Sequence, residues 1–227
     1  MGFEEDIVAM PIHDSKFGFG IDLDIEVPEK INEYERLQEK MGQERLFKAY
    51  MTSGVPEKFW NESFDTFEKN REQEIKIYDE VRSFADNPKN RVLVLCGKNG
   101  CGKTHLAASV IRHCGGEYVT SPMLCMMYDS AYKGKMSREE LILHYSKIKM
   151  LVIDECCKYF LNEETEKFLL MQIICMRYEN NKPTVLVTNA DKLAFVNFLG
   201  RAVYDRFTEC CSTLEFDWES RRKERRG

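Results

Sequence analysis

Residues 97–104 read Gly97-Lys98-Asn99-Gly100-Cys101-Gly102-Lys103-Thr104, which fits G-x-x-x-x-G-K-[ST]. That spacing suits one chemistry, the cradling of phosphate. Glycines turn backbone N–H groups inward without a Cβ in the way. The start of the following helix adds further N–H groups and the positive end of its dipole. Lys103 is placed to reach the outer phosphates and Thr104 to offer a hydroxyl to Mg²⁺. His105 follows at once, so the candidate phosphate-binding stretch runs from Gly97 to His105. Cys101, inside the loop, is expected to be a thiol beside bound phosphate, so its alkylation should block binding there.

A second chemical signal lies fifty residues on. Ile148–Ile153 is an apolar, buried-strand pattern that ends in Asp154-Glu155. In a parallel sheet such carboxylates stand at the carboxyl edge, where the phosphate loop also sits. Asp154 is the candidate holder of the Mg²⁺ shell. Glu155 is the candidate base for a water attacking the terminal phosphate. A third apolar strand, Thr184–Thr188, ends in Asn189, which either aligns that water or opens a turn before Asp191.

These residues need a scaffold that brings several strand ends together. Strands are expected at Val92–Cys96, Tyr118–Thr120, Ile148–Ile153, Thr184–Thr188 and Leu214–Trp218. Helices are expected at 103–114, about 122–146, 162–178 and 192–209, with Asn162 capping the third. Strands alternating with helices give right-handed βαβ units: an α/β fold with a mostly parallel five-stranded sheet flanked by helices. Ahead of it, Ile31, Tyr34, Leu37, Met41, Leu46, Phe47 and Tyr50 give Glu29–Met51 a helical period. A second amphipathic helix carries Phe67, Ile75, Tyr78, Val81 and Phe84. Residues 1–28 read as an acidic, extended tail; over 1–40 there are eleven acids and four bases. This divides the chain into 1–52, tail and helix, and 53–227, the phosphate-binding domain.

Composition narrows the function. The 227 residues include 43% hydrophobic and 31% charged, enough for a core beneath a soluble surface. A net charge of −5 argues against a chain coated in bases for duplex DNA. No apolar run approaches the roughly 20 residues of a membrane helix. The N-terminus lacks the basic-then-apolar order of a signal peptide, so a cytoplasmic protein with no membrane partner is expected. Nine cysteines, all from Cys96 onward, include the neighbours Cys156-Cys157 and Cys210-Cys211 but no C-x-x-C. They read as free thiols in a reducing compartment.

Taken together, the approach SGVPEKFWNESFDTFE, the loop GKNGCGKTHLAA, the strands KMLVIDE and TVLVTNAD, the run FLGRAVYDRF and the ending FDWESRR resemble the DnaC/IstB group of AAA+ ATPases. The resemblance covers roughly residues 46–222. It implies a P-loop ATPase of AAA+ type, slow alone, that loads a replicative helicase and contacts single-stranded DNA. Association in an ATP-dependent ring or spiral is also implied. Arg206 then matches the arginine finger that acts on a neighbouring subunit, with Arg201 a rival, and Arg222 a sensor arginine among Arg221, Arg225 and Arg226. The segment after the second strand would line the DNA channel, through Tyr128, Tyr132, Lys133 and Lys135. Phe59, Phe64 and Phe67 lie where the family packs the adenine, or else belong to the core. The chain ends soon after its last strand, so no full helical lid is expected. Some members bind zinc through N-terminal cysteines; none precedes Cys96, so zinc is not expected. The 1–52 extension is the candidate partner-binding segment. Two alternatives stand beside the loader: an IstB-type transposition helper, disfavoured by −5, and a P-loop nucleoside or nucleotide kinase, disfavoured by Asp154-Glu155 with Asn189.

Overall fold

The computed structural model describes residues 29–88, 92–131, 136–157, 162–207 and 210–221. The chain divides into two compact units, Met1–Met41 and Gly42–Gly227. Residues 29–41 of helix α1 (Glu29–Met51) supply the described part of the first. The second carries the sheet.

The strands are β1 (Val92–Gly97), β2 (Glu117–Thr120), β3 (Leu151–Cys156), β4 (Thr184–Thr188) and β5 (Cys211–Phe216). Their order is β2-β3-β4-β1-β5, and every pairing is parallel. The chain crosses from β1 to β2, returns through β3 and β4, and then passes to β5 on the far side of β1. A crevice therefore opens at the carboxyl ends beside β1, the usual ligand position in such sheets.

Alternation along the strands feeds two cores. Leu93, Leu95, Val152, Val185, Val187, Leu214 and Phe216 face one side, where Ile77, Val81 and Phe84 of α2 (Glu72–Asp86) and Leu106 and Val110 of α3 (Lys103–Cys114) cover them. Val94, Leu151, Ile153 and Leu186 face the other. There they meet α4 (Ser121–Ser130), α5 (Arg138–Lys147), α6 (Glu163–Glu179), α7 (Lys192–Leu199) and α8 (Arg201–Phe207). Strands buried on both faces read as continuous apolar runs, as these do. Among the described residues no helix is long and apolar enough to cross a membrane.

The expected single helix over 122–146 is two. Ser137 starts α5 with a capping box: its Oγ accepts from Glu140 N at 3.1 Å while its own N–H donates to Glu140 Oε2 at 2.6 Å. The expected helix over 192–209 breaks at Gly200, whose φ of 87° ends α7. β3 begins at Leu151, not Ile148: Ile148 is the C-cap of α5, and its carbonyl accepts from Arg177. β5 starts at Cys211 and ends at Phe216, which frees Asp217 and Trp218 to leave the sheet. The Asn162 cap is as expected, with Oδ1 accepting from Glu164 N at 2.8 Å.

Candidate active site

The loop 97–102 connects β1 to α3 through three left-handed glycines, Gly97, Gly100 and Gly102. At Gly102 a Cβ would lie 2.7 Å from Phe67 Cε2, so only glycine fits between that ring and the helix start. Gly102 is the N-cap of α3 and provides no side-chain cap. The first N–H groups of the helix are thus left to a ligand, as an anion site requires. Lys103 is 5% exposed, and its Nζ donates to Gly97 O at 2.7 Å and Lys98 O at 2.6 Å. Its ammonium is held over the cradle. Lys98 points elsewhere, donating to Asp217 O at 2.6 Å.

Thr104, one residue into α3, donates to Asp154 Oδ2 at 2.8 Å. Asp154 also accepts from Tyr118 OH on Oδ2 and from Glu155 N on Oδ1, both at 2.5 Å. Burial pushes the Asp154 carboxyl up, opposed by those three hydrogen bonds. Burial also raises the Tyr118 hydroxyl, reinforced by the Asp154 charge, so it stays a donor. Glu155 sits at φ 60° and Cys157 at φ 65°, and the β3–β4 register shifts between Ile153 and Cys156. Left-handed non-glycine residues are strained conformations that cluster at functional sites.

A cleft of about 340 Å³ lies over this arrangement. It is lined by Asn99, Gly100, Gly102, Lys103, Thr104 and His105, and by Asp154, Glu155 and Asn189. Three strand ends and one helix start, expected separately, therefore meet. Thr104 and Asp154 offer one hydroxyl and one carboxylate oxygen already in contact. Such a hard, sparse donor set fits Mg²⁺, which takes its remaining ligands from phosphate and water. Among the described residues no group of three or more His, Cys, Asp or Glu gathers as a metal cage.

Several expected roles fall differently. Cys101 is fully buried; its Sγ donates to Trp218 O at 2.9 Å, and Trp218 Nε1 donates to Cys101 O at 3.1 Å. The thiol faces the core, and burial raises its pKa. The expectation of a thiol beside bound phosphate is corrected. His105 is turned toward the approach segment: Nδ1 meets Glu62 Oε2 at 2.9 Å and Nε2 meets Ser63 O at 2.8 Å. Of the three aromatics, Phe59 lines the cleft, while Phe64 and Phe67 are core.

Arg206 lies on α8, and its side chain is outside the described residues. So are Arg222, Tyr132, Lys133 and Lys135. Tyr128 is on α4, half-buried, 6.2 Å from the Phe168 ring and 4.4 Å beneath the Arg138 guanidinium. Among the described residues, the arginine that lines the cleft is Arg221. Its backbone N–H donates to Gly100 O at 3.0 Å, and its guanidinium lies over Phe67 and pairs with Glu74 at 3.0 Å. A contact that the sequence reading does not single out is that of Tyr118 with Asp154. A signal for it exists in the strand parity: Thr120 is level with Asp154, so Tyr118, two residues earlier, faces the same side.

Known proteins resemble this chain in sequence and in fold. The replicative helicase loader DnaC of Escherichia coli (strain K12) is 27% identical over 187 residues, 78% of this chain and 76% of its own. A protein of insertion sequence IS232 from Bacillus thuringiensis subsp. berliner is 36% identical over 102 residues, 43% of this chain and 40% of its own. A crystal structure of the DnaC helicase loader superposes with a TM-score of 0.61 at 21% identity, covering 71% of this chain and 99% of that one. The replication initiator DnaA bound to AMPPCP and single-stranded DNA gives 0.58 at 17% identity, covering 73% and 51%. The fold is thus that of P-loop AAA+ domains. The IstB-like ATP binding protein model matches residues 31–227, which takes in the whole cleft described above, and the chain belongs to that family.

Proposed function

We propose that this protein is an ATP-hydrolysing replication factor of the helicase-loader kind. It binds ATP with Mg²⁺, hydrolyses it slowly, contacts single-stranded DNA and engages a replicative helicase. The observation that carries the reading is the meeting of Thr104 with Asp154 at the start of α3, with Glu155 and Asn189 on the same cleft. Similarity to DnaC over most of both chains supports the loader assignment.

The chain's own residues divide the work. Backbone N–H groups from Gly100 to Thr104 hold phosphate oxygens, and Lys103 exchanges its two loop carbonyls for them. Thr104 and Asp154 hold the cation, which supplies charge to offset that gathering on the phosphate oxygens. Glu155 accepts the proton of the attacking water, and Asn189 orients that water. Arg206 reaches a neighbouring copy's site and ties hydrolysis to assembly. Tyr128, Tyr132, Lys133 and Lys135 meet single-stranded DNA, and residues 1–52 meet the helicase. Arg222 and Arg221 share the sensor assignment, with Arg221 favoured by its place on the cleft.

A second reading is a transposition helper, for which the insertion-sequence relative speaks. The net charge of −5 suits it less well, since such a role asks for duplex DNA. One set of experiments tests both. The tagged protein, with ATP, should retain a replicative hexameric helicase and lose it without nucleotide. Glu155→Gln should keep ATP bound and abolish phosphate release. Duplex-dependent assembly with no helicase retention would replace the loader with the helper, and phosphate transfer to a nucleoside would sink both.

A further inference from the structure

We propose that Tyr118 is the positioning residue for Asp154, setting the carboxylate so that a divalent cation finds its ligand already oriented. The inference rests on reading Asp154 as a cation ligand. A carboxylate at a strand end turns about two side-chain torsions, and each hydrogen bond to it removes part of that freedom. Asp154 is fixed from three elements: by Thr104 on α3, by Tyr118 on β2 and by the Glu155 N–H of its own strand, β3. Thr104 is itself a ligand in this reading, and Glu155 N is backbone. Tyr118 is the side chain whose contact with Asp154 serves orientation alone.

Tyr118 is itself wedged in place. It is 5% exposed, and β2 pairs with β3 so that Tyr118 is level with Val152. On its other side the turn after α1 closes over the strand: Tyr118 N donates to Ser53 O at 2.7 Å. Gly54, at φ +89°, lies so close that a Cβ there would be 2.2 Å from Tyr118 O. The hydroxyl is thus held at a set distance from Oδ2 by backbone contacts on both sides of β2. Partners that orient a metal ligand commonly matter to affinity by roughly 10–100-fold. The same turn offers a second handle, because displacing Gly54 shifts Tyr118 without deleting its hydroxyl.

The test uses the full chain with ADP. Free Mn²⁺ is followed by electron paramagnetic resonance, fluorescent ADP binding is measured in EDTA, and melting is recorded alongside. Tyr118→Phe should weaken Mn²⁺ binding roughly tenfold, while ADP binding in EDTA stays as in the wild type. Gly54→Ala should produce the same selective loss, and it carries the test if Tyr118→Phe does not fold. Equal Mn²⁺ affinity in a well-folded Tyr118→Phe overturns the proposal, as does equal loss of ADP with and without metal. Wild-type protein that binds ADP without taking up Mn²⁺ would overturn the reading of Asp154 itself, and the proposal with it.

Discussion

Gly100→Ala probes how the C-terminal segment is joined to the phosphate loop. Gly100 has φ +78°, and a Cβ there would lie 2.0 Å from Ser220 Oγ and 3.0 Å from Ser220 Cβ. Two penalties follow. A left-handed alanine costs about 1–2 kcal/mol. The overlap with Ser220 is overpacking, about 1–3 kcal/mol. The second penalty belongs to the strap formed by residues 217–221 after β5, and the first to the loop, so Ser220→Gly should relieve one and leave the other. A double-mutant cycle isolates that coupling, expected at about 1–3 kcal/mol, because whatever Ser220 contributes by itself cancels. Because Arg221 N donates to Gly100 O, the same displacement should weaken fluorescent ATP binding in Gly100→Ala and restore part of it in the double variant. Denaturant unfolding of the four proteins gives the stabilities. A coupling below about 0.5 kcal/mol, within ordinary additivity, would refute the claim that the strap is seated against Gly100.

Three further outcomes are expected. N-ethylmaleimide should modify Cys101 among the slowest thiols, read by mass spectrometry, because it is buried against Trp218; rapid labelling that ATP blocks would return it to the phosphate site. Arg177→Met should lower stability by at least about 3 kcal/mol without changing ATP affinity. The fully buried guanidinium donates to Thr184 Oγ1, Tyr145 O, Ile148 O and Pro183 O. Burial lowers its pKa to about 10 from 12.5. Four bonds from a charged donor, at about 1.5–3 kcal/mol each, outweigh the roughly 3 kcal/mol returned by relieving that burial. The last concerns acid. Burial raises the Glu74 carboxyl, but bonds from Asn70 N, Arg221 and Arg71 N together outweigh it and leave the pKa lowered from 4.5. A depressed folded pKa means that this contribution is whole above about pH 4.5 and fades as pH falls through the folded value. Glu74→Gln should flatten that limb of stability against pH, and an unchanged limb would show that the ionised Glu74 carboxylate contributes nothing to it.

The site was legible where its chemistry is local. Gly97 to Thr104 is a contiguous loop and helix start, so spacing alone specifies which backbone groups converge. Asp154 and Asn189 follow apolar runs that must be parallel strands, and parallel strand ends share one edge. The break before α5 had a signal too, Ser137 followed three residues later by Glu140. It lay within a helical-period run and did not stand out. Gly200 was equally visible as a helix end.

By itself, then, the sequence determined the glycine-rich loop at a helix start, the acidic strand end and the parallel α/β architecture, all from periodicity and from motifs within a few residues. The family came from a resemblance carried by motifs spread over roughly residues 46–222. Tertiary structure alone decided what touches them from far along the chain. Tyr118 reaches Asp154 across 36 positions, Trp218 takes the Cys101 thiol across 117, and Arg221 reaches Glu68 across 153. The physical reason is that a side chain's direction depends on which strand lies beside it. Period and propensity say that a residue is buried, whereas only the register of the sheet says against what.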